Sequence, residues 1–271
     1  MLERSERVTS LRYLRLLGVQ FRASLLLAMQ YRADFLMDGI IGIFWTATAV
    51  VPLFVVFQVR SSVAGWTFGE TLMVVGWFTF LDGVLEGAIS PSLVSVVEHI
   101  RKGTLDFVLI KPADAQFLVS TARFQPWRGI NALTSIAIFA WGFHLLGRGP
   151  SVGALAIAAV TTVTAIAVLY SLWILTVSAA FYVVRIDNLT NLFSAIFDAA
   201  RWPVSIFRGS VRFIFTFVLP LALMTTFPAE ALLGTLPAST LAATIGGAVL
   251  AFAVSRAVWK ASIAKYTSAG G

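Results

Sequence analysis

The chain contains no cysteine, which excludes disulfides and thiolate metal sites. Its two histidines, His99 and His144, lie far apart, so no histidine-based metal site is expected. Charged residues make up only 12% of the 271 positions, against about 25% in an ordinary soluble domain. There is no repeat period, no low-complexity tract and no GxxxxGK[ST] phosphate loop. The opening MLERSERVTSLRYLRLLG is basic but lacks a short apolar core followed by small residues, so it does not read as a cleaved signal peptide.

What is present is apolar. Hydrophobic residues account for 58% of the chain, with 22 Phe and 8 Trp. Several apolar runs reach the roughly 20 residues that cross a bilayer as helix. The expected fold is an all-α integral membrane protein, a single transmembrane domain over 1–271. The net charge of +7 does not indicate nucleic acid, because the basic residues flank apolar runs as membrane-surface anchors do.

Residues 9–32 predict an amphipathic interfacial helix. Leu14, Leu17, Phe21, Leu25 and Ala28 share one face, and Arg12, Arg15 and Arg22 another, where they reach lipid headgroups. The alternative is an ordinary helix packed on the protein's own spans. Six spans are expected, over 36–58, 69–91, 127–146, 153–183, 189–206 and 238–258. Residues 1–33 carry six Arg, 92–128 five Lys or Arg, and the end of the last span with the tail three: Arg256, Lys260 and Lys265. The positive-inside rule therefore predicts that both termini are cytoplasmic. The stretch 186–237, with four prolines, is the least regular. Either 189–206 crosses and 207–236 dips back as a Pro-broken re-entrant pair, or 211–231 crosses. The charge count alone favours the second.

Between the second and third expected spans lies a polar segment, 92–112, with charges of both signs. Pro91 can end the second span or start a new helix, Ser92 to Lys102 can be helical, and Gly103 can stop it. Val94, Val97 and Ile100 would form an apolar ridge, and Asp106 an N-cap for the next helix. On these residues alone the segment is as readily a solvated loop as a lever.

The run Arg101-Lys102-Gly103-Thr104-Leu105-Asp106-Phe107-Val108-Leu109-Ile110-Lys111-Pro112 resembles the cytoplasmic segment of type-2 ABC exporter permeases, ABC-2 membrane subunits. It is similar in particular to a bacterial six-span subfamily sharing (R/K)xGxLDxxLxxP. The likeness extends to the N-terminal helix, to Arg201-Trp202-Pro203 and to the Phe227–Gly234 stretch before the last span. It implies a coupling helix between spans two and three that meets a separate ATPase through Glu98, His99, Arg101, Lys102, Gly103, Leu105 and Asp106. It also implies two ATPase copies carrying ATP and Mg, a second permease, no cofactor in this chain, and a place in the bacterial inner membrane. It favours 189–206 as the fifth span, with re-entrant helices after it. Such subunits are associated with export of drugs, antibiotics and lipids.

Acids inside spans are costly unless they face protein or water. Asp38, Asp82 and Glu86, with Trp45 and Trp77, are therefore candidates for a substrate path, suited to a cationic amphipath. The plainer readings are pairing of Asp82 with an arginine or a neighbouring helix, and packing for the tryptophans. Asp198 and Arg201, three apart, predict a local ion pair. A different class of function, an ion-coupled secondary transporter, would use the same three acids as its ion sites.

Overall fold

The computed structural model describes residues 2–30, 32–182 and 193–266, with the side chains of 2–11, 32–36, 38 and 49 outside the described set. Among the described residues the regular structure is helical, apart from one isolated bridge between Val63 and Trp66. The longer helices are α1 (Leu2–Gln30), α2 (Arg32–Val59), α3 (Phe68–Val84), α4 (Ser90–Arg101), α7 (Gly129–Leu146) and α8 (Val152–Ser178). Two short ones, α5 (Asp106–Leu109) and α6 (Ala115–Ser120), sit between α4 and α7. Then come α9 (Gly209–Phe213), α10 (Phe227–Leu233) and α11 (Ala238–Ala264). Five stretches are long and apolar enough to cross a membrane: Gly39–Val59, Phe68–Arg101, Pro126–Leu146, Val152–Phe181 and Ala238–Ala264. A sixth arises if Gly209–Val218 and Ala222–Leu233, bent by 68°, count as one span. Gly103 marks the lower end of the bundle, and Trp66 and Gly147 the upper end.

Local chemistry sets the starts. Thr67 and Glu70 form a capping box on α3, with Glu70 accepting from the Thr67 N–H at 2.9 Å. Ser151 caps α8 by accepting from the Ala154 N–H at 3.1 Å.

The tightest seam joins α3 to the antiparallel α7. Gly69, Gly76 and Gly83 recur every two turns and face α7 along its length. A Cβ on Gly76 would lie 2.4 Å from the Phe139 ring, and one on Gly83 2.8 Å from Asn131 Cβ. Gly142 answers from α7, where a Cβ would come within 2.1 Å of Met73 Cε. In lipid, where apolar surface gives no preference for protein over tails, such close van der Waals packing holds helices together. Behind this seam Leu81, Leu85, Leu93, Val168, Leu169 and Trp173 are buried in one core joining α3, α4 and α8. Helix α11 lies along α8. Helix α2 stands apart; among its described residues only Leu53 is buried.

Pro91 neither ends the second membrane helix nor begins a separate one. Residues 68–101 are one run of 34 residues, about 51 Å long, so roughly 20 Å of it extends past a hydrocarbon layer of about 30 Å. A π-helical turn, Leu85–Ile89, precedes Pro91. Proline has no N–H for the carbonyl four residues back. That carbonyl, on Gly87, instead accepts from the Gln125 N–H at 2.8 Å. Gly87 permits the approach, since a Cβ there would touch Arg128 Cβ at 3.1 Å.

The first four residues of the expected 189–206 span, and Val183 at the end of the 153–183 one, lie outside the described residues. The remainder, 193–206, is not a straight helix. Residues 193–197 are α-helical, Asp198–Arg201 and Val204–Ile206 form 3-10 turns, and Trp202 and Pro203 are extended between them. Pro203 forces this break by disfavouring helix at Trp202 and lacking an N–H itself. The freed groups are satisfied from the next segment: Thr225 Oγ1 donates to the Ala200 carbonyl at 2.7 Å, and Val204 N–H donates to Thr226 Oγ1 at 3.1 Å. Such compensation is what permits broken helix at membrane depth. Phe193 packs edge-on against Trp173 (ring centroids 5.0 Å apart), Phe197 lies tilted against Phe78 (5.2 Å), and Trp66 Nε1 donates to Ser205 Oγ at 3.0 Å. These contacts carry the stretch from the lower half of α8 to the upper end of α3.

The seam yields a direct test. Gly76→Val should destabilise the protein by about 1–3 kcal/mol through overpacking. Gly246→Ala, where a Cβ meets nothing within 4 Å, should stabilise it by about 0.5–1 kcal/mol. Thermal unfolding in detergent measures both.

Candidate functional site

At the lower end, α4 stops in a Schellman motif. Gly103 takes φ +66°, where a side chain would be strained. Thr104 N–H donates to the His99 carbonyl at 2.9 Å and Gly103 N–H to that of Ile100 at 3.3 Å. His99 Nδ1 lies 2.8 Å from Thr104 Oγ1 and reinforces the turn. Leu105 is then fully buried and anchors the chain before α5. Its side chain is covered by this chain's own core, whereas the resemblance counts it among the residues that meet the ATPase. Asp106 is the first residue inside α5, with Leu105 at the N-cap position and no side-chain cap, so the N-cap expected of Asp106 is not formed. Its carboxylate still stands at the helix start, where negative charge is favoured.

The expected apolar ridge faces the wrong way for a partner. Val97 is buried and Ile100 packs against the core, leaving only Val94 exposed. Spacing of three places these residues on one face, but the core of α8 occupies it. What the tip presents outward is Glu98, Arg101 and Lys102, with Lys102 paired to Glu98 at 2.5 Å. Beside them stand Phe107 and Ile110, 68% and 77% exposed.

The segment after the tip is fastened on three sides. On the first, Arg12 Nη2 donates to the Pro112 carbonyl (2.6 Å), Asp114 N–H to Tyr13 Oη (3.0 Å), Thr121 Oγ1 to Gln20 (2.6 Å) and Phe124 N–H to Ser24 Oγ (3.1 Å). One face of α1 therefore lies on 112–124, while Arg15 and Arg22 remain exposed. On the second, Ser92 Oγ donates to the Arg123 carbonyl at 2.6 Å and accepts its N–H at 3.0 Å. On the third, Arg256 of α11 forms an ion pair with Asp114 and donates to Gln116 Oε1 at 2.6 Å. Gln116 in turn donates to Tyr170 Oη at 3.0 Å. Pairs this distant in sequence carry no local signature, and Asp114 was not among the expected site residues.

Inside the bundle a cavity of about 690 Å³ opens between α2, α3, the lower end of α7 and the 198–202 turn. Trp45, Asp82, Arg128, Asn131, Asp198 and Arg201 line it. Asn131 donates to Asp82 Oδ2 at 3.0 Å. Arg201 donates to Asp198 at 2.8 Å while its guanidinium lies 4.8 Å from the centre of the Phe78 ring. The rise of a helix sets the depth. Trp45 lies about 9 Å inside the lower end of the Gly39–Val59 stretch, and Asn131 about 7.5 Å inside that of Pro126–Leu146.

Of the five residues expected along a substrate path, only Trp45 and Asp82 meet here. Glu86 lies one turn below and lines a separate cavity of about 750 Å³, between α1, α4 and 122–127. Trp77 packs on Phe139 at 5.1 Å and Phe80 at 5.9 Å, on another side of α3. The Asp38 side chain lies outside the described residues. Arg128 and Asn131 were not anticipated in this role, although three-residue spacing at the start of a span does put them on one helix face.

A bundle with five or six helices of membrane length, a polar cavity at membrane depth and a charged tip beyond it defines a polytopic membrane protein of the transport class. The family model described as ABC-2 family transporter protein matches residues 43–270. The chain belongs to that family: it is a multi-pass membrane protein and the permease subunit of an ABC transporter, not its ATPase. Neither the curated proteins nor the solved structures contain a match to it.

The fastening of 112–124 has a pH signature. Hydrogen bonding from Arg256, then the Phe117 N–H at the α6 cap, hold the Asp114 carboxyl below the usual carboxylate range despite some burial. A depressed pKa stabilises above the ordinary value near 3.9, and that contribution disappears as pH falls through the lower folded value. Both side chains are about one-third exposed (31% and 34%), so solvent screening limits the effect to about 1 kcal/mol or less. Melting temperature measured from pH 7 down to 3 should fall on the acid side, and Arg256→Gln should flatten part of that limb.

Proposed function

We propose that this permease subunit exports an amphipathic substrate, driven by ATPase subunits that grip the lower tip. The observation that carries the reading is the unbroken run from Phe68 to Arg101. A helix that begins at the upper end, passes Asp82 and finishes in a capped tip transmits a push at the tip without an intervening loop. Glu98, Arg101 and Lys102 supply charge for the ATPase contact, and Phe107 and Ile110 supply the apolar part left open by the inward-facing ridge. Leu105 and Gly103 hold the tip's shape.

In this reading the lower end is cytoplasmic, as the basic residues there favour, and the membrane is the bacterial inner membrane. Helix α1 lies at the interface, with Arg15 and Arg22 toward headgroups and its other face on 112–124. The bent pair at 209–233 is re-entrant from the outer face, and 189–206 rises across the membrane as the fifth span, a course supported by the contacts from Phe193 to Ser205. Two ATPase copies carrying ATP and Mg act on two permeases, the second a related but different chain. The cavity beside Trp45 and Asp82 lies on the substrate path.

Purification from the native host in gentle detergent should recover an ATPase in stoichiometric amount; a stable lone chain with ion-driven uptake overturns the reading. Reversing charge at Arg101 and Lys102 should leave the spans inserted and uncouple ATP hydrolysis from transport. Ile110→Asp should reduce ATPase recovery several-fold. Transport and recovery unchanged in both variants would remove the tip from the mechanism.

A further inference from the structure

The lower-half cavity holds charges of both signs, and that combination selects a ligand. Asp82 and Asp198 supply two carboxylates, Arg128 and Arg201 two guanidinium groups, all lining one space of about 690 Å³. A quartet that served only to neutralise itself would be packed shut, because charges at membrane depth are costly unless covered by protein or water. Here the Asp198 side chain is 60% exposed and that of Arg201 33%, so this ion pair borders open volume. Asp82 is held from behind by Asn131, which fixes its direction while leaving lone pairs unused. The rest of the wall combines the aromatic rings of Trp45, Phe78 and Trp202 with Thr46, Thr48 and Thr79. Aromatic faces attract cations.

A purely cationic head would gain from the carboxylates but meet two guanidinium groups within the same space. An anionic head would meet the reverse. We infer that the cavity takes the zwitterionic headgroup of an amphipath, its cationic end against Asp198, Asp82 and the tryptophan faces, its anionic end against Arg201 and Arg128. The site lies about 7.5–9 Å inside the lower ends of the membrane stretches, so such a head is drawn deeper than its place in a leaflet while its tail remains between helices. Sequence alone singled out the acids and so pointed to a cation; the arginines change the class. This inference rests on the cavity being part of the substrate path.

The test uses the permease with its partner subunits in maltoside detergent and three probes with one tail: dodecylphosphocholine, dodecyltrimethylammonium and dodecyl phosphate. Each is titrated while melting temperature is followed. The expected result is half-saturation by the zwitterion at a concentration at least ten-fold below that of either the cationic or the anionic probe. Asp198→Asn and Arg201→Gln should each abolish that preference, and Arg201→Lys should restore it to within about three-fold. The unliganded melting temperature and monodispersity of each variant show whether it has folded. Equal or tighter binding of the cationic probe overturns the inference, as does an unchanged preference in folded Asp198→Asn and Arg201→Gln. Loss of selectivity with ATP-driven transport intact removes this inference alone. Absence of ATP-driven export by the wild-type complex removes the underlying reading instead.

Discussion

The close approach of α3 and α7 is the contact on which the other features depend. Glycine every second turn brings the two backbones together, and the rest of the seam is set by that distance. Near its lower end Asn131 reaches Asp82 at 3.0 Å. One turn further down, the Gly87 carbonyl is close enough for the Gln125 N–H to take it at 2.8 Å. A bulkier residue at Gly83 would push away the helix that carries Asn131 and, with it, the turn through Gln125 that leads into that helix. The polar cavity and the straight passage through Pro91 are thus two results of one packing choice.

Satisfaction of backbone groups is the second constraint, and it operates twice in the same manner. Pro91, near the lower membrane boundary, and Pro203, at membrane depth where no bulk water can substitute, each leave carbonyl or N–H groups without an intrahelical partner. In each case a later stretch of chain supplies the bond: Gln125 in one, Thr225 and Thr226 in the other. The outcomes differ because the local conformations differ. A π turn ahead of Pro91 keeps the axis continuous, whereas Trp202 and Pro203 adopt extended backbone and break it.

Much of the architecture was legible from composition and punctuation. Apolar length marked most of the membrane helices, Gly103 marked the end of α4, and the short polar segment marked a compact cluster of exposed charge. What could not be read were contacts between residues distant in sequence. Arg128 counts in the sequence only as one more basic residue flanking a span; folding sets it beside Asp82. The ridge of Val94, Val97 and Ile100 was correct as a helical face, but nothing local says whether a face turns inward, and α8 claims it. The Asp114–Arg256 pair joins positions 142 residues apart and has no periodic trace. The break at Trp202-Pro203 was visible as a proline, yet whether proline bends a helix or is absorbed depends on which neighbour satisfies the exposed groups.

The π turn at Leu85–Ile89 gives the long helix a property beyond stiffness. A π turn is one surplus residue in an α-helical register, and each α-helical residue accounts for about 100° of rotation about the axis. Were the surplus absorbed, everything below it would turn by about that angle relative to Asp82 and the cavity above. Under the proposed lever mechanism, tip and cavity would then be geared through torsion as well as through thrust, and the Gln125 N–H bond to the Gly87 carbonyl holds the present angle.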